Sequence, residues 1–174
     1  MNESETFNVR LSDHFERTQQ KLIDSRYRKN RGGRKRFEEV IQQINKSLSE
    51  NPRLPQFRSL WGGFVRADPE PYPKGSSREG YELWKLKFKM PQLGGAAEQG
   101  RLIYLLDVTQ QEVILVWIYT HAEFEKRPPE RDLKRLLLEL IESPPGLPQS
   151  NAVESGEEET GTEEGNPEES SRDE

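Results

Sequence analysis

The sequence contains no cysteine, which excludes a disulfide framework and a metal site built on thiolates. Only two histidines are present, and they are not spaced as a metal-binding pair. No glycine-rich loop opens a helix and no Gly-x-Ser-x-Gly motif occurs, so the common phosphate cradle and the common serine hydrolase motif are absent. We therefore expect neither a metal ion nor a small-molecule cofactor.

Long apolar runs are missing as well. The longest run, residues 113–119, is much shorter than the ~20 residues that cross a bilayer. The first five residues are acidic rather than apolar, unlike a secretory signal. These features predict a cytoplasmic protein that does not associate with membranes.

Charge is unevenly distributed along the 174 residues. Residues 143–174 contain ten acidic residues and one basic residue, a net charge of −9, whereas residues 1–142 carry +4. This composition predicts one folded domain at residues 1–142 and a disordered acidic tail at residues 143–174. The tail is interpreted either as an inert solubilising extension or as a competitor of nucleic acid for the basic surface.

Three consecutive strands are predicted between residues 82 and 120. Apolar residues and lysines alternate at residues 84–90, which predicts a strand with one apolar face and one cationic face. Residues 101–106 and 113–119 are the next two strands, and the short connection between them predicts an antiparallel hairpin. The third strand is apolar on both faces, as is typical of a strand buried on both sides.

The rest of the chain supplies helices that can pack on this sheet, so the predicted class is α+β with an antiparallel meander. The hydrophobic patterns predict, in order, a short strand at 7–11, a helix from 12 to the glycine pair at 32–33, a second helix at 37–48, a long connection at 53–80 and a C-terminal helix at 133–141.

Four cations are candidates for phosphate binding. Lys85, Lys87 and Lys89 share one face of the first strand of the meander, and Arg101 opens the next strand. Ammonium and guanidinium groups are the usual partners of phosphate. The alternative is that the lysines only keep an exposed strand soluble and that Arg101 is an ordinary surface arginine.

A second group of candidates follows the buried third strand. Tyr119, His121, Lys126 and Arg127 lie close together in sequence, and His121 can transfer a proton near neutral pH. The alternative for His121 is an exposed loop histidine. His14, in the first turn of a helix, is interpreted as structural or solvated.

Basic residues are also concentrated in the helical region. Residues 17–36 contain nine basic residues and one acid, and Arg28, Arg34 and Lys35 are representative. A basic stripe of this kind attracts a phosphate backbone. The alternative is a solvated helix face whose charge is balanced by acids elsewhere.

The order of these features resembles the RelE/ParE superfamily of bacterial type II toxin–antitoxin toxins. The similarity covers residues 7–141 and depends on Trp-Lys-Leu-Lys-Phe at 84–88, Gly-Arg-Leu-Ile-Tyr-Leu-Leu-Asp at 100–107, the apolar strand at 113–119 and the charged segment at 119–127. The resemblance implies a strand–helix–helix–three-strand core, commonly followed by a helix. The long connection and the acidic tail are additions to that pattern.

RelE-type members cut mRNA in the ribosomal A site, and the chemistry implied is attack by a ribose 2′-OH on the adjacent phosphate. By resemblance, Lys85 and Lys87 match the two lysines of the strand motif and Arg101 matches the phosphate clamp, while His121 is expected as the acid or base. Tyr119, Lys126 and Arg127 are candidates by position, and the implied partners are an antitoxin, the ribosome and mRNA. The alternatives are a ParE-type gyrase inhibitor and a non-catalytic RNA- or protein-binding module.

Overall fold

The computed structural model describes residues 6–54 and 65–142 of the chain. Within these residues, three α-helices and five strands form an α+β fold, as the sequence predicts. A 3-10 helix, Gly95–Glu98, lies between the third and fourth strands. The elements are β1 (Asn8–Leu11), α1 (Asp13–Arg26), α2 (Arg31–Glu50), β2 (Arg66–Pro69), β3 (Tyr81–Lys89), β4 (Gln99–Asp107), β5 (Glu112–Thr120) and α3 (Glu130–Glu142).

The strands form one mixed sheet in the order β1-β5-β4-β3-β2. β1 is parallel to β5, and every other neighbouring pair is antiparallel. The β4–β5 hairpin is closed by Asp107, whose Oδ1 accepts hydrogen bonds of 2.9 Å from the backbone N–H groups of Thr109 and Gln110. A carboxylate that satisfies backbone donors two and three residues later stabilises a tight turn.

α1 and α2 cover one face of the sheet with the apolar stripes that the sequence predicts. α1 begins where expected, because Ser12 accepts a hydrogen bond of 3.1 Å from the backbone N–H of Phe15. Burying a large apolar side chain contributes about 1.5–3 kcal/mol, so this layer is a main source of stability. Its buried members include Phe15, Leu22, Phe37, Ile44 and Leu48 from the helices and Leu86, Leu102 and Leu115 from the strands.

α3 packs on the opposite face. Leu133 and Leu137 are fully buried there against a cluster that includes Ile103 and Trp117. β5 is buried on both faces, as predicted. Because side chains alternate along a strand, α3 shares its side of the sheet with the lysines of β3.

The predicted end of the first helix is wrong. α1 ends at Arg26, and Gly33 belongs to the first turn of α2. Asn30 caps α2 by accepting a hydrogen bond of 2.8 Å from the backbone N–H of Gly33. A Cβ at position 33 would lie 2.8 Å from the Asn30 amide nitrogen, so the glycine allows the cap to close rather than ending the preceding helix.

The predicted long connection at 53–80 contains an additional strand, β2, which pairs with β3. The prolines at 69 and 71 hide this strand in the sequence, because proline in a sheet is restricted to edges, strand ends and bulges. Residues 55–64 of this connection and the predicted disordered tail at 143–174 lie outside the described residues.

Candidate nucleic-acid interface

The register of the sheet brings the predicted cations onto one face. Lys87 lies opposite Arg101 across the β3–β4 pair, and Arg101 lies opposite Tyr119 across the β4–β5 pair. Residues directly opposite on antiparallel strands project on the same side, so these three side chains form a row across three strands. Lys85 and Lys89 lie two residues to either side of Lys87 on the same face. The prediction that cations from two neighbouring strands share one face is confirmed.

β2 adds acidic residues that the sequence analysis did not include. Asp68 accepts a hydrogen bond of 3.2 Å from Lys87 Nζ and one of 2.6 Å from Arg66 Nε. Burial opposes the charged carboxylate, but the hydrogen bonds from Arg66 and Lys87 hold the pKa of Asp68 below its ordinary value. Half of the Lys87 side chain remains exposed, and an exposed ion pair contributes only about 0–1 kcal/mol. Lys87 is therefore available to a competing anion.

Lys85 is bound much more firmly. Its Nζ lies 2.5 Å from Glu70 Oε2, and Arg127 Nη1 lies 3.5 Å from Glu70 Oε1. The Glu70 side chain is 6% exposed, and those of Lys85 and Arg127 are each 16% exposed. We call Glu70, Lys85 and Arg127 the closed cluster. Separating a buried carboxylate from the two cations that contact it is costly in free energy, so Lys85 is not a free phosphate ligand in this structure.

Arg127 extends the closed cluster toward α3. Its Nη1 donates a hydrogen bond of 2.6 Å to the carbonyl oxygen of Pro71, and its Nη2 bonds to Glu130, the first residue of α3. From the sequence, Arg127 is expected to bind RNA. In the structure, its side chain connects the segment after β2 to the start of α3.

Arg101 fastens the segment that follows β5. Its Nη1 donates to the carbonyl oxygens of Phe124, Glu125 and Lys126, with distances of 3.4 Å for Phe124 and 2.9 Å for Lys126. All three bonds use Nη1, and a guanidinium carries donors on two further nitrogens. Arg101 can therefore hold this segment and present another edge to a phosphate.

Tyr119 supports the same segment. Its hydroxyl donates a hydrogen bond of 3.2 Å to the carbonyl oxygen of Lys126. The ring packs edge-on against Phe124, with centroids 5.7 Å apart. Burial raises the pKa of Tyr119 to about 12, although the positive charge of Arg101 opposes this. The phenol therefore stays protonated at neutral pH and positions the backbone rather than transferring a proton.

His121 lies at the end of the cationic face. Its backbone N–H donates a hydrogen bond of 2.9 Å to the carbonyl oxygen of Gln99, which lies opposite Lys89 in the sheet. Lys89 forms an ion pair of 3.0 Å with Glu98, and the two side chains are 45% and 35% exposed. We call Lys87, Lys89 and Arg101 the open row, and His121 belongs to the same end of the sheet.

No known protein family, curated protein or solved structure matches this chain. The function is therefore inferred from the residues and their geometry. Within residues 6–54 and 65–142, no group of three or more metal-ligating residues is arranged to hold a metal ion. No helix in the described ranges is long and apolar enough to cross a membrane.

The helices α1 and α2 pack on the face of the sheet opposite the open row, and their basic residues lie near the end of the sheet that carries Lys89. Arg28, Arg34 and Lys35, which we call the basic corner, are exposed where α1 meets α2. Two hydrogen bonds hold this corner against the segment after β3. The Tyr27 hydroxyl donates a bond of 2.8 Å to the carbonyl oxygen of Pro91, and Asn30 Nδ2 donates a bond of 2.9 Å to Gln92 Oε1. The corner therefore lies at the end of the sheet where Lys89 and His121 lie. Arg34 pairs with Glu38 on the helix surface at 2.9 Å, a weak exposed contact.

Proposed function

We propose that this chain is the toxin of a bacterial type II toxin–antitoxin system, of the RelE type, and that it cleaves mRNA on the ribosome in the cytoplasm. The proposal is supported by the order of elements, a strand, two helices, four further strands and a C-terminal helix, which has one strand, β2, more than the RelE/ParE resemblance implies. The observation that carries it is the open row, in which cations from two neighbouring strands share one face, and His121 directly follows β5 at the same end of the sheet.

RNA phosphates bind at the open row in this proposal. Lys87 and Lys89 are each about half exposed and pair with Asp68 and Glu98, which a phosphate can displace at a cost of about 0–1 kcal/mol per pair. Arg101 contributes Nε and Nη2, the two guanidinium nitrogens that do not bond to the backbone carbonyls. Three positive charges then face the phosphate on which negative charge develops, and such pre-arranged charges are the largest usual contribution to catalysis.

The proposed reaction is an internal transfer at phosphorus. The ribose 2′-oxygen forms a bond to its own phosphorus, and the bond from phosphorus to the 5′-oxygen of the next nucleotide breaks. The products are a 2′,3′-cyclic phosphate and a 5′-hydroxyl end, so no external oxidant, metal or cofactor enters the balance. His121 exchanges the proton as acid or base, the role that histidine most often has in general acid–base catalysis. The closed cluster takes no part in proton transfer and fixes the segment that carries Lys126.

The basic corner supplies a second contact with the RNA backbone. Contacts to phosphate that are made by exposed arginines and lysines are independent of sequence and weaken steeply with salt. An antitoxin that neutralises the toxin would cover the open row and the basic corner together. Its contacting segment is expected to be acidic, because it must compete with RNA for the same cations.

A second function is favoured by the closed cluster and by the bonds of Arg101. Lys85 is largely buried on Glu70, and Arg101 holds three backbone carbonyls. A module in which these cations only stabilise the fold would bind RNA or a protein without cutting RNA. Both functions use the same RNA-binding surface. They are distinguished by whether the protein cleaves RNA with multiple turnovers.

Expression of the chain in bacterial cells under a tightly controlled promoter tests the proposal. We expect growth arrest and new mRNA ends within translated regions, mapped by sequencing of 5′-hydroxyl ends. Intact transcripts together with normal growth would contradict the proposal. Growth arrest with intact transcripts and loss of gyrase supercoiling would indicate the ParE-type alternative instead.

A further inference from the structure

His14 lies in the first turn of α1 against β5, beside the apolar cluster that α3 covers. Its imidazole packs edge-on against Trp117 of β5, and the two ring centroids are 4.2 Å apart. Its Nε2 is buried and has no hydrogen-bond partner in the part of the chain that the structure describes. A buried ring nitrogen without a partner favours the neutral imidazole, because the charged form loses its hydration.

Charged side chains face this ring from two elements. The charges of Arg17 on α1 and of Asp132, Arg135 and Glu139 on α3 act on the pKa of His14, and the ring contact is with the uncharged Trp117 of β5. Arg135 also lies 3.9 Å from each of its acidic neighbours, Asp132 and Glu139. The α3 side therefore presents a chain of alternating charges to the imidazole. A proton on His14 would add a positive charge that the charges of Arg17 and Arg135 already disfavour.

We propose that His14 is a pH-sensitive latch: its neutral ring allows α3 to dock on the sheet, and its protonation loosens α3. The consequence reaches the closed cluster, because Glu130 at the start of α3 is bonded to Arg127, which pairs with Glu70. Loosening α3 would therefore weaken the hold on Arg127 and on the segment that covers the sheet face. The latch concerns the docking of α3 and does not depend on RNA cleavage.

The direction of the pH effect follows from the surroundings of the ring. Burial, and then the charges of Arg17 and Arg135, lower the pKa of His14 from its ordinary value of 6.5, although Asp132 and Glu139 oppose them. The docked state therefore binds fewer protons than the released state at mildly acidic pH. Docking is fully stable above about pH 6.5 and weakens as the pH falls from there toward the lower pKa of the docked state. Each pH unit between the two pKa values multiplies the released fraction about tenfold.

Hydrogen exchange measured by mass spectrometry on the full chain tests the latch. Peptides from α3 are compared at about pH 7.5 and about pH 5.5, after correction for the intrinsic exchange rates. We expect the opening of α3 in the wild type to increase at the lower pH, by at most about tenfold over the one pH unit below 6.5, because the docked state binds fewer protons than the released state. The His14→Gln variant should lose this increase, whereas His121→Gln, which removes the other histidine, should keep it.

Two outcomes would overturn the latch: equal α3 protection at both pH values in the wild type, or the same loss of protection in His14→Gln. An NMR titration of the wild-type imidazole protons gives an independent test should the glutamine variant fail to fold. The midpoint of His14 is expected below 6.5, the ordinary value, and a midpoint at or above 6.5 contradicts the proposal. Arg135→Gln should raise the midpoint, whereas the exposed control Arg131→Gln should leave it unchanged.

Discussion

We expect the Glu70→Ala substitution to lower the free energy of unfolding by about 3–5 kcal/mol, the usual cost of removing one partner from a buried ion pair. The loss leaves Lys85 and Arg127, each 16% exposed, without the carboxylate that both of them contact. Urea unfolding followed by circular dichroism measures the change. The Glu70→Ala/Lys85→Ala double variant should cost less than the sum of the two single variants, because they share one interaction.

Asp68→Ala is the matched control for this prediction. Asp68 lies in β2, and Glu70 is the first residue after this strand. The ion partners of Asp68 are exposed: the Arg66 and Lys87 side chains are 65% and 49% exposed. Removing it should cost less than about 1 kcal/mol. Equal effects of the two substitutions would show that the closed cluster does not stabilise the fold. Lys85 would then become a candidate for phosphate binding again.

The second large effect concerns His121. In single-turnover cleavage of ribosome-bound mRNA, His121→Gln is expected to lower the rate constant by about 10²–10⁴-fold, the usual contribution of a general acid or base. Glutamine keeps the approximate size of the side chain but cannot exchange a proton at neutral pH. The affinity for RNA, measured by fluorescence anisotropy, should stay unchanged because the open row is intact.

His14→Gln provides the control for the histidine substitution, because His14 lies against Trp117 beside α3 and is not part of the open row. At about pH 7.5 its cleavage rate should equal that of the wild type. A His121→Gln variant that cleaves at the wild-type rate would exclude His121 from proton transfer. Lys87 and Arg101 would then remain only as phosphate ligands.

Alternation along the strands made the cationic face predictable. A period of two places Lys85, Lys87 and Lys89 on one side, and Arg101 opens the next strand along the chain, which pairs with β3. Strong local signals also predicted the apolar stripe of α2, because helix periodicity acts over a few residues. These parts of the fold depend on near neighbours in the sequence.

The partners of the cations were not predictable in the same way. Glu70 and Lys85 are 15 positions apart, and they meet only because β2 pairs with β3. The one available signal was that Asp68 and Glu70 alternate as strand residues do, and the two prolines beside them masked it. The bonds from Arg101 to backbone carbonyls leave no signal at all, because any residue supplies a carbonyl.

These partners divide the candidate site into two parts. Lys87, Lys89 and Arg101 remain open to a phosphate, whereas Lys85 and Arg127 serve the packing of the face. From the sequence, all five are candidates for catalysis or RNA binding. The geometry thus narrows the proposed phosphate site to the end of the sheet that also carries His121.

The most direct test uses a defined mRNA bound to ribosomes and a second copy that carries one 2′-deoxynucleotide at the mapped cut site. The purified wild-type chain is expected to cut the all-ribose mRNA, leaving a 2′,3′-cyclic phosphate, and to leave the 2′-deoxy position intact. Absence of cleavage of the all-ribose mRNA, or equal cleavage of both copies, would contradict a nuclease that acts through the ribose 2′-hydroxyl.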